Sequence, residues 1–306
     1  MDNTFDACTS LKNITLPNGT TSIYRYAFKG CTSLTDVIIP NSVYCIDERA
    51  FSGCSSLLNI SIPNSVTKIG NGVFADCASL TSIIIPSSVS KIGYSIVEGC
   101  NSLSKILVEP NNPVYDSREN CNAIIETTTN TLIQGCNNSV IPKGVFYIGN
   151  YAFRGCKFLQ NIDIPNSVIA ILYAAFQNCF SLISIDIPNS VTSIGESAFF
   201  RCSSLTNISI PNSVTTIEKN AFYACESLTN IIIPNSVTEI QHGAFQNCSF
   251  LAKVNVKATT PPAINYFTFA NCSNQIKFYV PSESLEVYEI DTYWKDLNII
   301  SDSELN

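Results

Sequence analysis

Apolar and polar positions along this chain return in phase every 23 residues. The recurring block reads Pro-Asn-Ser-Val-x-x-Ile-Gly-x-x-Ala-Phe-x-x-Cys-x-Ser-Leu-x-x-Ile-x-Ile. Cysteines stand at 8, 31, 54, 77 and 100, then at 156, 179, 202, 225 and 248, and Cys272 follows one residue late. Prolines keep the same interval at 17, 40, 63 and 86, and again at 142, 165, 188, 211 and 234. Three residues before the cysteine stands a phenylalanine, from Phe5 to Phe269 with Val97 in its place before Cys100, and three after it a leucine, from Leu11 to Leu251. A unit of this size cannot bury its own apolar set, so neighbouring units must stack and share one continuous core.

The Leu-x-x-Ile-x-Ile end alternates with period two. In Ser82-Ile83-Ile84-Ile85 the side chains of Ile83 and Ile85 point one way, those of Ser82 and Ile84 the other, which predicts a short strand. Proline ends it, Asn-Ser supplies turn chemistry, Val-x-x-Ile-Gly makes a second extended piece, and Ala-Phe-x-x-Cys has the length of one helical turn. Stacking such coils in parallel builds in-register sheets with a rise of about 4.8 Å per coil.

Two stretches leave the frame. Pro86 and Pro142 are 56 positions apart, two units plus ten. Residues 109–141 therefore read as an irregular long coil in which Cys121–Ile125 and Thr131–Ile133 flank a Thr-rich turn, a β-hairpin pattern. It is either an elongated coil or a projecting recognition loop. In Ile133-Gln134-Gly135-Cys136 the isoleucine stands in for the phenylalanine slot. A tight turn at Thr128-Thr129 would place Cys121 opposite Cys136, which leaves a disulfide and two free thiols both open. After Leu251 the repeat frays, with Lys257 in place of proline and Gln275 in place of leucine. Lys277–Pro281 reads as a last strand and Ser282–Tyr288 as a short helix with serine at its N-cap. The expected organisation is a solenoid over residues 1–280 and a closing segment, 281–306, that contains Trp294 and covers the terminal coil.

With Phe, Cys, Leu, Ile and Pro held in phase over residues 1–272, the unit resembles the BspA-like, Treponema pallidum-type leucine-rich repeat. The resemblance implies an α/β leucine-rich-repeat right-handed solenoid. It would be β-rich, with short parallel strands and single-turn helices, about twelve coils and a C-terminal cap. It also implies a secreted or cell-surface setting among bacterial and protist proteins, and protein ligands as partners, host extracellular-matrix proteins among them. The chain opens in mid-repeat with no charged-then-apolar leader, so any export signal is expected outside this sequence. No run of about 18 apolar residues offers a membrane span.

Composition narrows the chemistry. The chain is 45% apolar and only 13% charged, so Ser, Thr and Asn must cover its surface. Seventeen Lys and Arg against 24 Asp and Glu leave no cationic footprint for nucleic acid. A single histidine, His242, excludes sites that need two imidazoles. No catalytic, metal or cofactor site is expected, because repeated Ser, Asp and Asn never converge with a second histidine or an acid pair. The 14 cysteines contain no Cys-x-x-Cys pair, and the ladder thiols are expected to pack as small hydrophobes, with Cys45 and Cys121 the accessible ones. What remains for function is the outward face of the strands. Its candidate protein-binding surface comprises Asp36, Asn59, Ser82, Asn161, Asp163, Ser184, Asp186, Asn207 and Asn230. Two uses of that face stay open: a noncatalytic binding module, or a structural spacer of the cell envelope.

Overall fold

The two extended pieces of each unit become two parallel ladders, and the 23-residue period is their register. Asn13–Thr15 pairs with Asp36–Ile38, Asn13 opposite Asp36, and Ser82–Ile85 pairs with Lys105–Val108. The Val-x-x-Ile pieces form the second ladder, where Ser22–Ile23, Cys45–Ile46, Lys68–Ile69 and Lys91–Ile92 lie side by side. Ile23, Ile46, Ile83 and Ile85 point into the core, as the alternation requires. The computed structural model describes residues 2–304, which wind into a leucine-rich-repeat solenoid of about thirteen turns with few helices.

The turns fall into two units. The first runs to Phe158 but leaves out Phe146–Ile148, which belong to the second together with the chain from Leu159 onward. In the second unit the first ladder reappears as Ser184–Ile185 with Asn207–Ile208, and as Asn230–Ile233, Lys253–Val256, Lys277–Val280 and Ile299–Ser301 in one sheet. The second ladder continues through Tyr147–Ile148, Ala170–Ile171 and Ser193–Ile194, then Thr216–Ile217 with Glu239–Ile240.

Each conserved letter of the repeat satisfies a backbone group or fills the core. Pro-Asn-Ser-Val is a turn closed by the valine N–H on the proline carbonyl, as from Val43 to Pro40 at 3.1 Å. Its serine hydroxyl donates to the preceding coil, Ser65 to the Val43 carbonyl at 2.6 Å and Ser88 to that of Val66 at 2.7 Å. The cysteine does the same with its thiol. Cys54 Sγ donates to the Phe28 carbonyl at 3.1 Å, Cys77 to Phe51 at 3.1 Å and Cys225 to Phe199 at 3.2 Å. The phenylalanines stack coil on coil, with Phe28 and Phe51 centroids 5.2 Å apart and Phe176 and Phe199 5.3 Å apart. Eleven of the 14 cysteines are buried and all are free; Cys8 is exposed, Cys45 and Cys272 are partly so, and Cys121 is buried, against its expected accessibility. Cys121 lies within the irregular insert, where its thiol points at the Ala123 carbonyl.

The Ala-Phe-x-x-Cys piece is a run of turns instead of a regular helical turn. Two residues per coil take the left-handed conformation, five before and one before the cysteine: Tyr26 and Gly30, Arg49 and Gly53, Ser197 and Arg201. The reversals turn alternate N–H groups outward along the stack, so Tyr26, Phe28 and Gly30 donate to Glu48, Ala50 and Ser52 of the next coil. Inter-coil pairing thus continues where a helix would have closed its bonds on itself.

The insert is a hairpin, Ile124–Glu126 against Thr131–Gln134, with Tyr115–Asp116 on its outer edge. Glu126 faces Thr131 as the register anticipates, but a bulge at Ile124/Ile125 moves Gln134 opposite Ile124. The slip leaves Cys121 and Cys136 unbonded, and Cys136 Sγ rests 3.6 Å from the Asn122 carbonyl. The phenylalanine slot falls to Gly135, not Ile133. Its N–H donates to the Ala152 carbonyl at 2.7 Å, as Phe74 does to Ile96 at 2.8 Å, and any side chain on Gly135 would run into the Phe153 ring. The insert therefore lacks a turn layer, and the coils on either side meet there directly. Arg154 Nε lies 2.9 Å from Glu98 Oε1, and the Tyr94 and Tyr151 rings are 5.7 Å apart.

The end of the chain closes on the last coil with aromatics. Trp294 and Tyr288 are fully buried. The indole meets Phe278 and Tyr288 edge-on at 5.8 and 5.1 Å, and its N–H donates to the Pro262 carbonyl. The helix is Leu285–Ile290, and Ser282 does not cap it; the Ser282 hydroxyl and N–H both bind Asp302 Oδ1.

Three outcomes follow from this construction. Burial pushes the Cys225 thiol up to about 12 and drives those of Cys100, Cys156 and Cys202 in the same direction. The fold holds these thiols neutral while the unfolded chain ionises them near their ordinary value of 9.0. Stability is therefore full below about pH 9 and falls as pH rises, by about 1.4 kcal/mol per pH unit for each such thiol. A handful of them exhausts the usual margin of about 5–15 kcal/mol. Melting curves taken in reductant should be flat near neutrality and collapse above about pH 9. Replacing Arg201, held at a left-handed φ of 59°, by glycine should raise the denaturation midpoint by about 0.5–1 kcal/mol of stability, since the side chain no longer opposes the backbone. Deleting residues 281–306 should lower the melting temperature by several degrees and leave a chain that self-associates, because Phe269 and Phe278 lose the Trp294 ring and the strand Lys277–Val280 loses its partner Ile299–Ser301.

Candidate functional site

Two outward strand faces remain once the core is accounted for. On the first ladder the predicted residues all point away from the core. Asp36, Asn59, Asn161, Asp163, Ser184, Asp186, Asn207 and Asn230 are exposed, and Ser82 is half-buried. Asp36, Ser82, Ser184, Asn207 and Asn230 lie in strands, while Asn59, Asn161 and Asp163 lie in extended segments outside them. The structure does not gather all nine. Asp36, Asn59 and Ser82 belong to the first unit and Asn161 through Asn230 to the second.

Within the second unit four of them meet. Ser184, Asp186, Asn207 and Asn230 line a shallow depression of about 200 Å³ together with Ser209 and Ile232. Neighbouring polar side chains order its wall. Asn207 and Asn230 each donate from Nδ2 to the hydroxyl of the preceding threonine, at 3.3 and 3.2 Å, and Ser184 Oγ donates to Asn161 Oδ1 at 3.3 Å. The Oδ1 atoms of Asn207 and Asn230 accept no hydrogen bond among the described residues. Asp163 and Asp186 make no ion pair among the described residues. Ile38, Ile84 and Ile232 add exposed apolar points along the same face. The arrangement can make shallow polar contacts; it has no depth to enclose a small molecule.

The second ladder carries a groove that the linear reading passed over. In the first unit, Tyr24, Tyr44, Cys45, Asp47, Lys68 and Lys91 line about 450 Å³, with the hydroxyls of Ser22, Thr67 and Ser90 between them. The signal was present in the sequence: these residues fall at variable positions of the repeat, so the periodic frame that reveals the core hides them. His242 is exposed and packs against the Phe267 ring at 4.8 Å, apart from both surfaces. Among the described residues no cluster of three or more His, Cys, Asp or Glu could hold a metal ion, and no helix is long and apolar enough to cross a membrane.

Parallel ladders in 23-residue register, inward Leu and Ile, and outward polar strand faces define a leucine-rich-repeat solenoid protein. More narrowly, the chain belongs to the BspA type leucine rich repeat region family, whose model matches residues 1–122, 130–252 and 192–294. A leucine rich cell surface protein from Faecalibacterium prausnitzii is 29% identical, with 91% of this chain and 75% of that one covered at a TM-score of 0.64. A leucine-rich repeat protein from Eubacterium ventriosum, 23% identical over 86% and 83% of the two chains with a TM-score of 0.68, shares the fold. So does the pneumococcal vaccine antigen PcpA, at 18% identity, 97% and 89% coverage and a TM-score of 0.64. Among curated proteins none matches.

Proposed function

We propose that this chain is a noncatalytic binding module, displayed outside the cell, that contacts proteins of a host or a neighbouring cell through the outward face of its first ladder. The observation that carries the reading is the depression at Ser184, Asp186, Asn207 and Asn230. Its amides are held by neighbouring threonines and its carboxylate is left unpaired, so it offers a preordered polar surface without a deep pocket. Preordered side chains lose less entropy on binding than free ones, which suits shallow protein contacts spread over several coils. The likeness to a protein described as a leucine rich cell surface protein supports the location. Protein binding along repeat surfaces is the general use of solenoids.

The test is capture of extracellular-matrix and cell-surface proteins on the immobilised chain, repeated with Asp163→Arg/Asp186→Arg. Both aspartates are exposed, so the double variant should melt with the parent. A ligand that meets this face should bind it about tenfold more weakly and with an altered salt dependence. A parent that captures nothing would favour a structural spacer of the envelope. A ligand indifferent to the double variant would move the contact off this face.

A further inference from the structure

The groove on the second ladder concentrates residues that the architecture does not require. Tyr24 occupies a position that is glycine in the repeat and in the coils of Gly70 and Gly93; Tyr44 occupies one that is Thr67 and Ser90 in the next two coils. Lys68 and Lys91 are directly opposite each other on adjacent parallel strands. Like charges so placed repel and destabilise a sheet. Asp47 is the one carboxylate within reach, 3.8 Å from Lys68 Nζ, and Lys91 has no ion-pair partner among the described residues. The groove therefore holds uncompensated positive charge on a chain whose net charge is −7.

We propose that this groove binds an anionic oligosaccharide, with Lys68 and Lys91 pairing its carboxylate or sulfate groups and Tyr24 and Tyr44 stacking on its sugar rings. The backbone leaves no place for an added peptide strand in the middle of the groove. Cys45–Ile46 pairs on both sides, with Ser22–Ile23 and Lys68–Ile69, and Lys68–Ile69 pairs on both sides in turn; only the outer strands, Ser22–Ile23 and Lys91–Ile92, pair on one side within this sheet. In the middle of the groove recognition must come from side chains alone, and those present are two rings, two ammonium groups, a row of hydroxyls, the Cys45 thiol and one carboxylate, Asp47, which sits beside Lys68 and leaves Lys91 unopposed. Tyr24 is 47% exposed and Tyr44 53%, and neither phenol oxygen makes a hydrogen bond among the described residues. Each ring offers an apolar face for the C–H side of a pyranose and a free hydroxyl at its tip. Thr67 and Ser90 already donate to the backbone of the preceding coil, which leaves their oxygens as acceptors for sugar hydroxyls. The groove volume of about 450 Å³ suits a short saccharide. Coils repeat at about 4.8 Å, close to the length of one pyranose unit, so consecutive sugars can meet consecutive coils. This site lies on the other ladder from the protein-binding face and stands or falls independently of it.

Titration calorimetry of the full chain tests the assignment with four probes: a galacturonic acid tetrasaccharide, a heparin-type sulfated tetrasaccharide, neutral maltotetraose, and polyglutamate. Both acidic saccharides should bind, more weakly as salt rises, and maltotetraose at least about tenfold less tightly. Lys68→Ser/Lys91→Ser and, separately, Tyr44→Thr install residues that other coils carry at the same positions, Ser193 and Thr67, so neither variant should melt below the parent, and the lysine variant, relieved of its like-charge pair, should melt at or above it. The lysine variant should lose about tenfold in affinity for the acidic saccharides, and the tyrosine variant should weaken them as well. The proposal is overturned if neither acidic saccharide binds, if maltotetraose binds equally well, if polyglutamate binds as tightly as the acidic saccharides, or if the lysine variant binds like the parent.

Discussion

Hydrogen bonding from one coil to the next is the constraint on which this protein depends. A coil has too few residues to bury a core or to pair its own strands, so nearly every polar group facing along the stack must find its partner 22 to 26 residues away. The strand ladders do this for the extended pieces. Ser65 and Ser88 do it at the turns, and the thiols of Cys54, Cys77 and Cys225 do it beneath the phenylalanine stack. A buried carbonyl without a partner would cost about 1–3 kcal/mol. A thiol fits that space, packs against the surrounding apolar side chains as a small hydrophobe and can still donate, which accounts for a cysteine ladder with no disulfide in it.

The same constraint explains the irregular insert. Its hairpin supplies strand pairing but lacks a turn layer, and the neighbouring coils close the gap through Glu98 and Arg154. Burial raises the Glu98 carboxyl, while the Arg154 guanidinium opposes the shift. The insert keeps the stack satisfied on its inner side with Asn112, whose amide donates to the Pro86 and Val89 carbonyls and accepts from Val114 and Tyr115. The Tyr115 hydroxyl receives the Ile92 N–H. These bonds tie the insert down as part of the body of its unit.

Because architecture consumes the invariant positions of the repeat, function is left to the variable ones. The two outward faces illustrate this differently. The first ladder carries short polar side chains ordered by their neighbours, while the groove of the second gathers tyrosines and lysines that no coil needs for folding. A substitution at a variable position leaves the stack intact, so these surfaces can diversify without loss of stability.

The sequence by itself determined the period, the core and the inward or outward sense of each strand residue. A stack of like coils turns linear spacing directly into spatial neighbours, so Ile83 and Ile106 had to pair once Cys77 and Cys100 were seen 23 apart. It also placed the candidate residues of the first ladder outside, because period-two alternation leaves a strand residue no third option. What only the tertiary structure decided lies where two coils must be compared at once. The bulge that parts Cys121 from Cys136, the transfer of the phenylalanine slot to Gly135 and the left-handed residues at Tyr26 and Arg201 all answer to hydrogen bonds with a neighbouring coil. The groove is divided between the two: the period already sets Lys68 opposite Lys91, but Tyr24 and Tyr44 fall three positions apart in the repeat, and only the tertiary structure brings their rings into one wall with the lysines.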